Sequence, residues 1–218
     1  MTQFTTWDLL RNLLLAGRWT LILSAIAFVG GGIGGLILLL LRFGGNRFAR
    51  RFVDLYIELF QGTPLLMQLF LIFFGLPMLG FDVSPLLAAT VSLSLYASAY
   101  LAEIWRGCVE AIPVGQWDAS GSVGMRYFQQ MRLIILPQAV RMAIPPTVGF
   151  LVQLLKGTAL TSIVGYHEIT KTSQILTNAT FQPFLIYGLV AMIYFAMCYP
   201  LTSYSRSLER TLGRSLSR

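Results

Sequence analysis

The stretch WTLILSAIAFVGGGIGGLILLLL, residues 19–41, decides the fold class of this chain, because it runs for 23 residues without a charged side chain. A helix needs about 20 mainly apolar residues to cross the hydrocarbon core of a bilayer. The rest of the chain has the same character, since 56% of its 218 residues are hydrophobic and only 11% are charged. Soluble domains typically carry roughly 25% charged residues. The composition therefore predicts an all-α membrane protein.

Four further segments reach, or nearly reach, the length of a membrane span. Residues 59–81, 83–102 and 181–205 are mainly apolar and carry no charge, and the first of them contains QGTPLL. Residues 142–155 alone are typical of a buried or re-entrant piece. Extended back to about Pro137 they are long enough to span, with Pro145-Pro146 near the start, where a helix tolerates proline. We predict about five transmembrane helices in a single membrane domain, residues 1–218.

Arg and Lys residues predict the orientation of these spans, whose odd number places the termini on opposite sides. With the C-terminus in the cytoplasm, 12 basic residues fall inside and 4 outside, the four being Arg11, Arg18, Lys156 and Lys171. The N-terminus is therefore expected outside and the C-terminus in the cytoplasm. Because the basic residues flank apolar runs or lie in a polar insert, the net charge of +7 predicts no nucleic-acid partner.

Cysteine and histidine are too few and too scattered to predict a metal site. Cys108 and Cys198 lie in or near apolar segments without a C-x-x-C pattern, and His167 is the single histidine. His167 is expected to be a surface or packing residue. The N-terminus lacks a basic region followed by an A-x-A-like site, so no cleaved signal peptide is expected.

The glycine run GGGIGG, residues 30–35, lies inside the first apolar stretch. Small residues allow helices to approach closely in lipid. Two interpretations are open from the sequence: a packing face against a second membrane subunit, or packing against another span of the same chain.

A polar insert, about residues 115–136, separates the third and fourth predicted spans and is expected in the cytoplasm. Asp118 lies near the start of a short first helix, where a negative charge is favourable, and Gly124 fits a turn. The second helix has a loose apolar periodicity and ends at Pro137. Its apolar residues are Met125, Phe128, Met131, Leu133 and Ile135. The pattern predicts a short helix-turn-helix, either filling a socket on another protein or lying among lipid headgroups.

The spacing of this insert resembles the EAA loop of ABC importer permeases, E-A-A-x3-G-x9-I-x-L-P. The matching residues are Asp118, Ala119, Ser120, Gly124, Ile134, Leu136 and Pro137. Asp118 stands in place of Glu and Ser120 in place of Ala, and these two departures are where a contact with an ATPase is expected to be tuned.

The resemblance extends over most of the chain, to the polar amino acid branch of these permeases. The similar segments are GRWTLILS (17–24), YIELFQGTPLLMQLFLIFFGLP (56–77), YLAEIWRGCVEAIPVGQWDAS (100–120) and LLKGTALTSIVG (154–165). Gln61 stands where Arg is usual, and Gly157 where many relatives have Asp. The resemblance implies a permease subunit of an importer of the histidine, glutamine, arginine or glutamate type, in the bacterial cytoplasmic (inner) membrane.

The resemblance also implies partners: two cytoplasmic ATPase subunits, a second permease (identical or homologous) and an extracytoplasmic amino-acid-binding protein. The sequence contains no G-x-x-x-x-G-K-[ST] phosphate loop. The chain is therefore expected to be neither an enzyme nor a cofactor carrier, with ATP and Mg²⁺ bound by the ATPase subunits. The insert would then be a coupling loop that transmits ATPase closure and opening to the spans.

Ionisable and polar residues near the apolar segments are candidates for the solute path. A zwitterionic amino acid needs an anion for its ammonium group, which Glu58 or Glu103 could supply, and donors for its carboxylate, from Lys156, Thr158 or backbone amides near Gly157. The full candidate path is Glu58, Gln61, Thr63, Glu103, Gln153, Lys156 and Thr158. The alternatives are snorkelling at the interface and an internal pair between Glu103 and Arg106. The QGTP segment, residues 61–64, is expected either to break a helix near the path or only to kink it.

Two other classes of function are alternatives to a permease. A stand-alone secondary transporter or channel for small polar solutes needs intramembrane ion sites and inverted repeats, and neither is visible. A membrane enzyme needs a constellation such as Ser/His/Asp or H-E-x-x-H, which the sequence lacks.

Overall fold

The computed structural model describes residues 5–216, with side chains through Thr211, and this part of the chain is helical and without strands. The helices, in chain order, are α1 (Thr6–Gly44), α2 (Arg47–Gly62), α3 (Leu65–Met78), α4 (Pro85–Glu110), α5 (Val114–Ser122), α6 (Tyr127–Ser162), α7 (Ile169–Thr180) and α8 (Pro183–Leu216). Helices α1, α4, α6 and α8 are each long and apolar enough to cross a membrane. The pair α2–α3 makes a fifth span when counted as one. The prediction of about five spans is confirmed.

The second span is broken rather than straight, with α2 and α3 meeting at an angle of 103°. Thr63 is extended (φ −116°, ψ 143°), as the residue before a proline prefers, and Pro64 has no N–H to continue the helix. The buried side chain of Gln68 stabilises the break, because its Nε2 donates to the carbonyl oxygens of Phe60 (2.9 Å) and Thr63 (3.1 Å). The predicted break at QGTP is therefore confirmed, and it exceeds a simple proline kink.

The glycine run of α1 packs against α4 of the same chain. A Cβ atom on Gly31 would lie 2.3 Å from the Cβ of Ala97, and one on Gly35 would lie 3.1 Å from the carbonyl oxygen of Ser98. Those distances leave no room for a side chain, so the two backbones approach as closely as glycine permits. Of the two interpretations, intramolecular packing is the one that the structure supports for Gly31 and Gly35.

The fourth span differs from its prediction, because α6 starts at Tyr127 and continues without a break past Pro137. Pro145 and Pro146 lie well inside the helix and not near its start, which corrects the prediction. A π-helical turn, Met131–Ile135, ends two residues before Pro137. Such a wider turn accommodates a proline that cannot donate a helical hydrogen bond, so the helix continues.

The main core lies where α1, α4 and α6 cross. Its fully or nearly fully buried side chains include Leu23, Leu93, Leu101, Phe150 and Leu154. This core holds α4 and α6 against each other, and both helices extend from it to the polar insert.

Candidate functional site

The polar insert folds as predicted, into two helical pieces joined at Gly124; we call residues 114–130 the knob. Gly124 has φ +79°, a conformation that other residues adopt only with strain. Its N–H donates to the carbonyl oxygen of Gly121 (2.9 Å), and the N–H of Met125 donates to that of Ser120 (3.2 Å). These bonds end α5 and turn the chain into α6.

The two residues that depart from the EAA pattern lie on opposite sides of α5. Asp118 is exposed in the middle of α5, which begins at Val114, so the expectation that it lies near the helix start was wrong. Ser120 is 6% exposed, and its hydroxyl donates to the carbonyl oxygen of Trp117 (3.0 Å). Of the two departures, only Asp118 is presented to solvent.

The inner side of the knob is fixed to the spanning helices by an apolar cluster. Its members come from the ends of α1 and α4, the following turn, the knob and the first turns of α6: Phe43, Val109, Ile112, Trp117, Met131, Ile134, Ile135, Ala139 and Met142. The rings of Trp117 and Tyr127 also stack, with centroids 6.0 Å apart. Because one cluster joins all of these elements, a displacement of the knob moves the ends of α4 and α6 with it.

The outer side of the knob is apolar and exposed. Val114, Val123 and Phe128 are 71%, 76% and 71% exposed, and Leu133 projects outward just beyond the knob. Of the apolar residues in the loose periodicity of the second helix, Met131 and Ile135 pack in the cluster, whereas Phe128 and Leu133 are exposed. Leu136 and Pro137 are also exposed.

Glu103 belongs to a group of ion pairs and is not a free carboxylate. Its carboxylate accepts from the guanidinium of Arg106 (Nε to Oε2, 2.9 Å), and Arg106 also pairs with Glu110. A second pair, Arg42 with Asp54, joins α1 to α2. The internal pair with Arg106 was one of the alternatives open from the sequence, and it is the one observed.

The side chains of Gln153 in α6 and Gln61 in α2 both donate hydrogen bonds to α4. The exposed Gln153 donates from Nε2 to the hydroxyl of Tyr96 (3.2 Å), whose ring packs beside that of Tyr100 at 4.5 Å. Gln61 donates from Nε2 to the carbonyl oxygen of Ala99 (3.4 Å). Together they place two amides and two phenol rings along one helix, a mixture suited to a small polar solute.

The remaining path candidates form no hydrogen bond to that group within residues 5–211. Thr158 is fully buried and donates to the carbonyl oxygen of Leu155 (2.7 Å). The hydroxyl of Thr63 donates to the carbonyl oxygen of Leu59 (2.7 Å) and accepts from Nε2 of Gln68 (2.9 Å), across the break between α2 and α3. Glu58 is exposed and makes no ion pair within residues 5–211. Lys156 is exposed and borders a groove against α8.

The buried carboxylate of Glu168 was missed by the sequence reasoning. Glu168 is 0% exposed and caps α7, its Oε1 accepting from the N–H of Lys171 (2.9 Å). Its Oε2 accepts from the hydroxyls of Tyr194 in α8 (3.1 Å) and Thr20 in α1 (3.4 Å). Burial raises the pKa of this carboxyl, while the hydrogen bonds from the Lys171 N–H and the Tyr194 hydroxyl oppose the rise. An acid directly before a helix start was the available signal. Its neighbour His167 is exposed, as expected.

Residues 27–212 match the family described as binding-protein-dependent transport system inner membrane component. That range includes the knob, the broken span and α4. The chain belongs to this family. This inner membrane component is 35% identical over 192 residues to the probable amino-acid ABC transporter permease protein YckA of Bacillus subtilis (strain 168), covering 88% of this chain and 85% of the relative.

Two further relatives cover nearly the whole inner membrane component. The L-cystine transport system permease protein TcyB of Bacillus subtilis (strain 168) is 34% identical over 218 residues, with 97% of this chain and 93% of the relative covered. A solved structure described as an amino acid ABC transporter with histidines superposes with a TM-score of 0.90 at 30% identity, covering 96% of this chain and 100% of that one. The inner membrane component is thus a multi-pass membrane protein with the ABC permease fold.

Replacing Glu168 by Ala is expected to destabilise the inner membrane component by about 1–3 kcal/mol, because it takes the carboxylate acceptor from the half-buried Tyr194 hydroxyl and from the Lys171 N–H that it caps. The measurement is thermal unfolding of the purified protein in detergent. Glu168→Gln, which keeps one acceptor oxygen, is the matched control and is expected to lose less stability than Glu168→Ala. Equal unfolding temperatures for Glu168→Ala and the parent would contradict the role of this carboxylate.

Proposed function

We propose that the chain is the membrane subunit of an ATP-driven importer that moves polar amino acids delivered by an extracytoplasmic binding protein. The relatives named above are described as amino-acid or L-cystine permeases, which supports this solute class. The proposed assembly pairs the chain with a second permease, identical or homologous, and with two cytoplasmic ATPase subunits that bind ATP and Mg²⁺.

The observation that carries the proposal is the two-sided knob. Its outer side offers apolar side chains such as Phe128, together with the exposed Asp118, to a partner. Its inner side shares one cluster with the ends of α4 and α6. A partner that closes and opens on the outer side would therefore bias the spanning helices between two states. ATPase subunits are such partners, and the positive-inside rule places the knob on their side of the membrane.

The solute path in this proposal runs along α4, past Gln153, Tyr96 and Gln61. These side chains offer amide and phenol groups to a zwitterion. Glu58, which is exposed and makes no ion pair within residues 5–211, is the acid for the ammonium group in this proposal, since Glu103 is already paired. The broken span at Thr63–Pro64 has the form in which discontinuous helices line transport sites, which favours a path beside it.

Uptake into vesicles tests the proposal. The chain, reconstituted with its ATPase subunits and binding protein, is expected to accumulate a labelled polar amino acid only when ATP is present on the ATPase side. Vesicles holding the chain alone, or ATPase subunits with an inactivated phosphate loop, are the controls and are expected to accumulate none. Concentrative uptake by the chain alone would contradict the proposal and favour a stand-alone transporter.

A further inference from the structure

We propose that the turn between α7 and α8 docks the extracytoplasmic binding protein, through the exposed aromatic rings of Phe181 and Phe184. The two residues are 86% and 97% exposed. The inference rests on the proposed importer function, because it names the surface at which the importer receives its binding protein. The family to which the chain belongs is described as binding-protein-dependent, so a partner of this kind is expected.

Phe181 holds a backbone conformation that phenylalanine adopts only with strain. It ends α7 with φ 56° and ψ 30°. Among the residues that the structure describes, it is the one residue other than glycine with a positive φ. Glycine or asparagine ordinarily ends a helix in this conformation. The exposed ring at this position therefore lowers the stability of the chain relative to glycine.

Packing within the chain does little to offset that strain, because most of the Phe181 side chain is exposed. Strained residues of this kind cluster at sites that bind a ligand or a partner. The base of the turn is nevertheless fixed, since Leu176 before it and Ile186 after it are buried against Leu9 and Leu13 of α1. The two rings are thus held out on a rigid turn, which reduces the entropy lost when a partner binds.

The turn lies at the end of the molecule opposite the knob. Helix α6 leaves the knob and runs antiparallel to α8. Ser205 of α8 donates to the carbonyl oxygen of Pro145 (2.8 Å), whereas Cys198, earlier in α8, shares a buried cluster with Leu155, later in α6. The start of α8 is therefore far from the knob. Because the knob is expected in the cytoplasm, the turn is expected on the outer side.

The turn also lies beyond the hydrocarbon core of the membrane, where a water-soluble protein can reach it. Arg206 is the first charged residue of α8, and the about 20 residues that span the core before it begin near Ile186. The irregular backbone at the exposed Gln182 is not tolerated among lipid tails. Phenylalanine lacks the polar group by which tyrosine and tryptophan anchor at the headgroups. A protein with an apolar pocket is the partner that fits two exposed rings in water.

Stimulation of ATP hydrolysis by the binding protein tests the inference. The assembled complex is reconstituted in lipid nanodiscs, and hydrolysis is measured against the concentration of the purified binding protein, saturated with its amino acid. For Phe181→Gly/Phe184→Ala we expect the half-maximal concentration to rise roughly tenfold, because exposed aromatic side chains carry much of the binding energy of such interfaces. An unchanged half-maximal concentration would overturn the inference.

Three further variants separate docking from other effects of the substitutions. Phe48→Ala removes an exposed ring from the start of α2 and is expected to leave the half-maximal concentration unchanged. Phe181→Tyr/Phe184→Tyr keeps both rings and is expected to behave as the parent does. Phe181→Gly alone removes the strain together with the ring, so it is expected to unfold at a temperature no lower than the parent while it docks more weakly.

Hydrogen exchange of the parent complex gives a measurement that needs no substitution. Addition of the binding protein is expected to slow exchange of the backbone amides in residues 177–186, because a docked partner hinders local opening of the turn. Unchanged exchange in this segment, at a concentration of binding protein that stimulates hydrolysis, would overturn the inference.

Three other results would also overturn it. An equal rise of the half-maximal concentration for Phe48→Ala would show a general effect of removing apolar surface. A double variant that is less stable in lipid but not in detergent, with unchanged stimulation, would show a contact with lipid. Loss of the second membrane subunit from the double variant would show a subunit interface. Failure of the proposed importer function is distinct, since the parent complex itself would then show no stimulation by a binding protein.

Discussion

Gly31→Ala is expected to destabilise the protein by about 1–3 kcal/mol, although it adds a single carbon and replaces a poor helix former by the best one. The added Cβ would lie 2.3 Å from the Cβ of Ala97 and 3.1 Å from the Ala97 carbonyl carbon and the Ser98 nitrogen. Two of these three atoms are backbone, so a rotamer change cannot relieve the clash. Helices α1 and α4 would have to separate, which loosens the core around Leu93 and Leu101.

Gly32→Ala is the matched control for this prediction, since a Cβ there meets nothing within 4 Å. The same substitution one residue along the same helix is expected to be neutral or to stabilise by up to about 1 kcal/mol. Thermal unfolding of both purified variants gives the comparison. Equal unfolding temperatures for the Gly31→Ala and Gly32→Ala proteins would contradict the close packing of α1 on α4.

Transmembrane helices were predicted correctly from the sequence wherever the chain has a long run without charged residues. The spans in α1, α4 and α8 were predicted from length and composition, which bilayer thickness makes decisive. A break or a kink at QGTP was also predicted, because proline chemistry is local. Its angle of 103° was not, since that depends on Gln68 donating to carbonyl groups five and eight residues earlier in the chain.

Features that depend on tertiary packing could not be predicted from the sequence. The loose apolar periodicity of the second knob helix could not separate Met131 and Ile135 from the exposed Phe128 and Leu133, because the residues that bury the first two, such as Val109, come from α4 and the turn after it. Glu103 was left as one of two possibilities because its three-residue spacing from Arg106 fits both a pair and a free acid. Glu168 went unnoticed because its partners, Thr20 and Tyr194, lie 148 and 26 residues away in sequence.

Gly124→Val is expected to uncouple ATP hydrolysis from uptake. Gly124 has φ +79°, where a β-branched residue is strongly disfavoured, so the variant is expected to rebuild the turn between α5 and α6. A cost of about 1–2 kcal/mol is enough to shift the knob out of its present form in most molecules unless the partner restores it. Contact with the ATPase subunits would weaken while the spanning helices, whose core is distant from Gly124, stay folded.

Gly115→Val is the control within the same knob. Like Gly124, Gly115 has nothing within 4 Å of an added Cβ, but it lies in α5 with ordinary helical geometry. The two variants therefore add the same atoms to open space and differ in the backbone conformation that receives them. The Gly115→Val variant is expected to take up about as many amino acids per ATP hydrolysed as the parent, because its added side chain lies on the exposed surface of the knob.

The most direct test of the coupling role of the knob measures ATP hydrolysis and amino acid uptake in the same reconstituted vesicles. For Gly124→Val, we expect the number of amino acids taken up per ATP hydrolysed to fall by about tenfold, with Gly115→Val close to the parent. Thermal unfolding of each reconstituted variant checks that the spans remain folded. An unchanged ratio of uptake to hydrolysis in Gly124→Val would contradict the account that the knob links the ATPase subunits to the membrane helices.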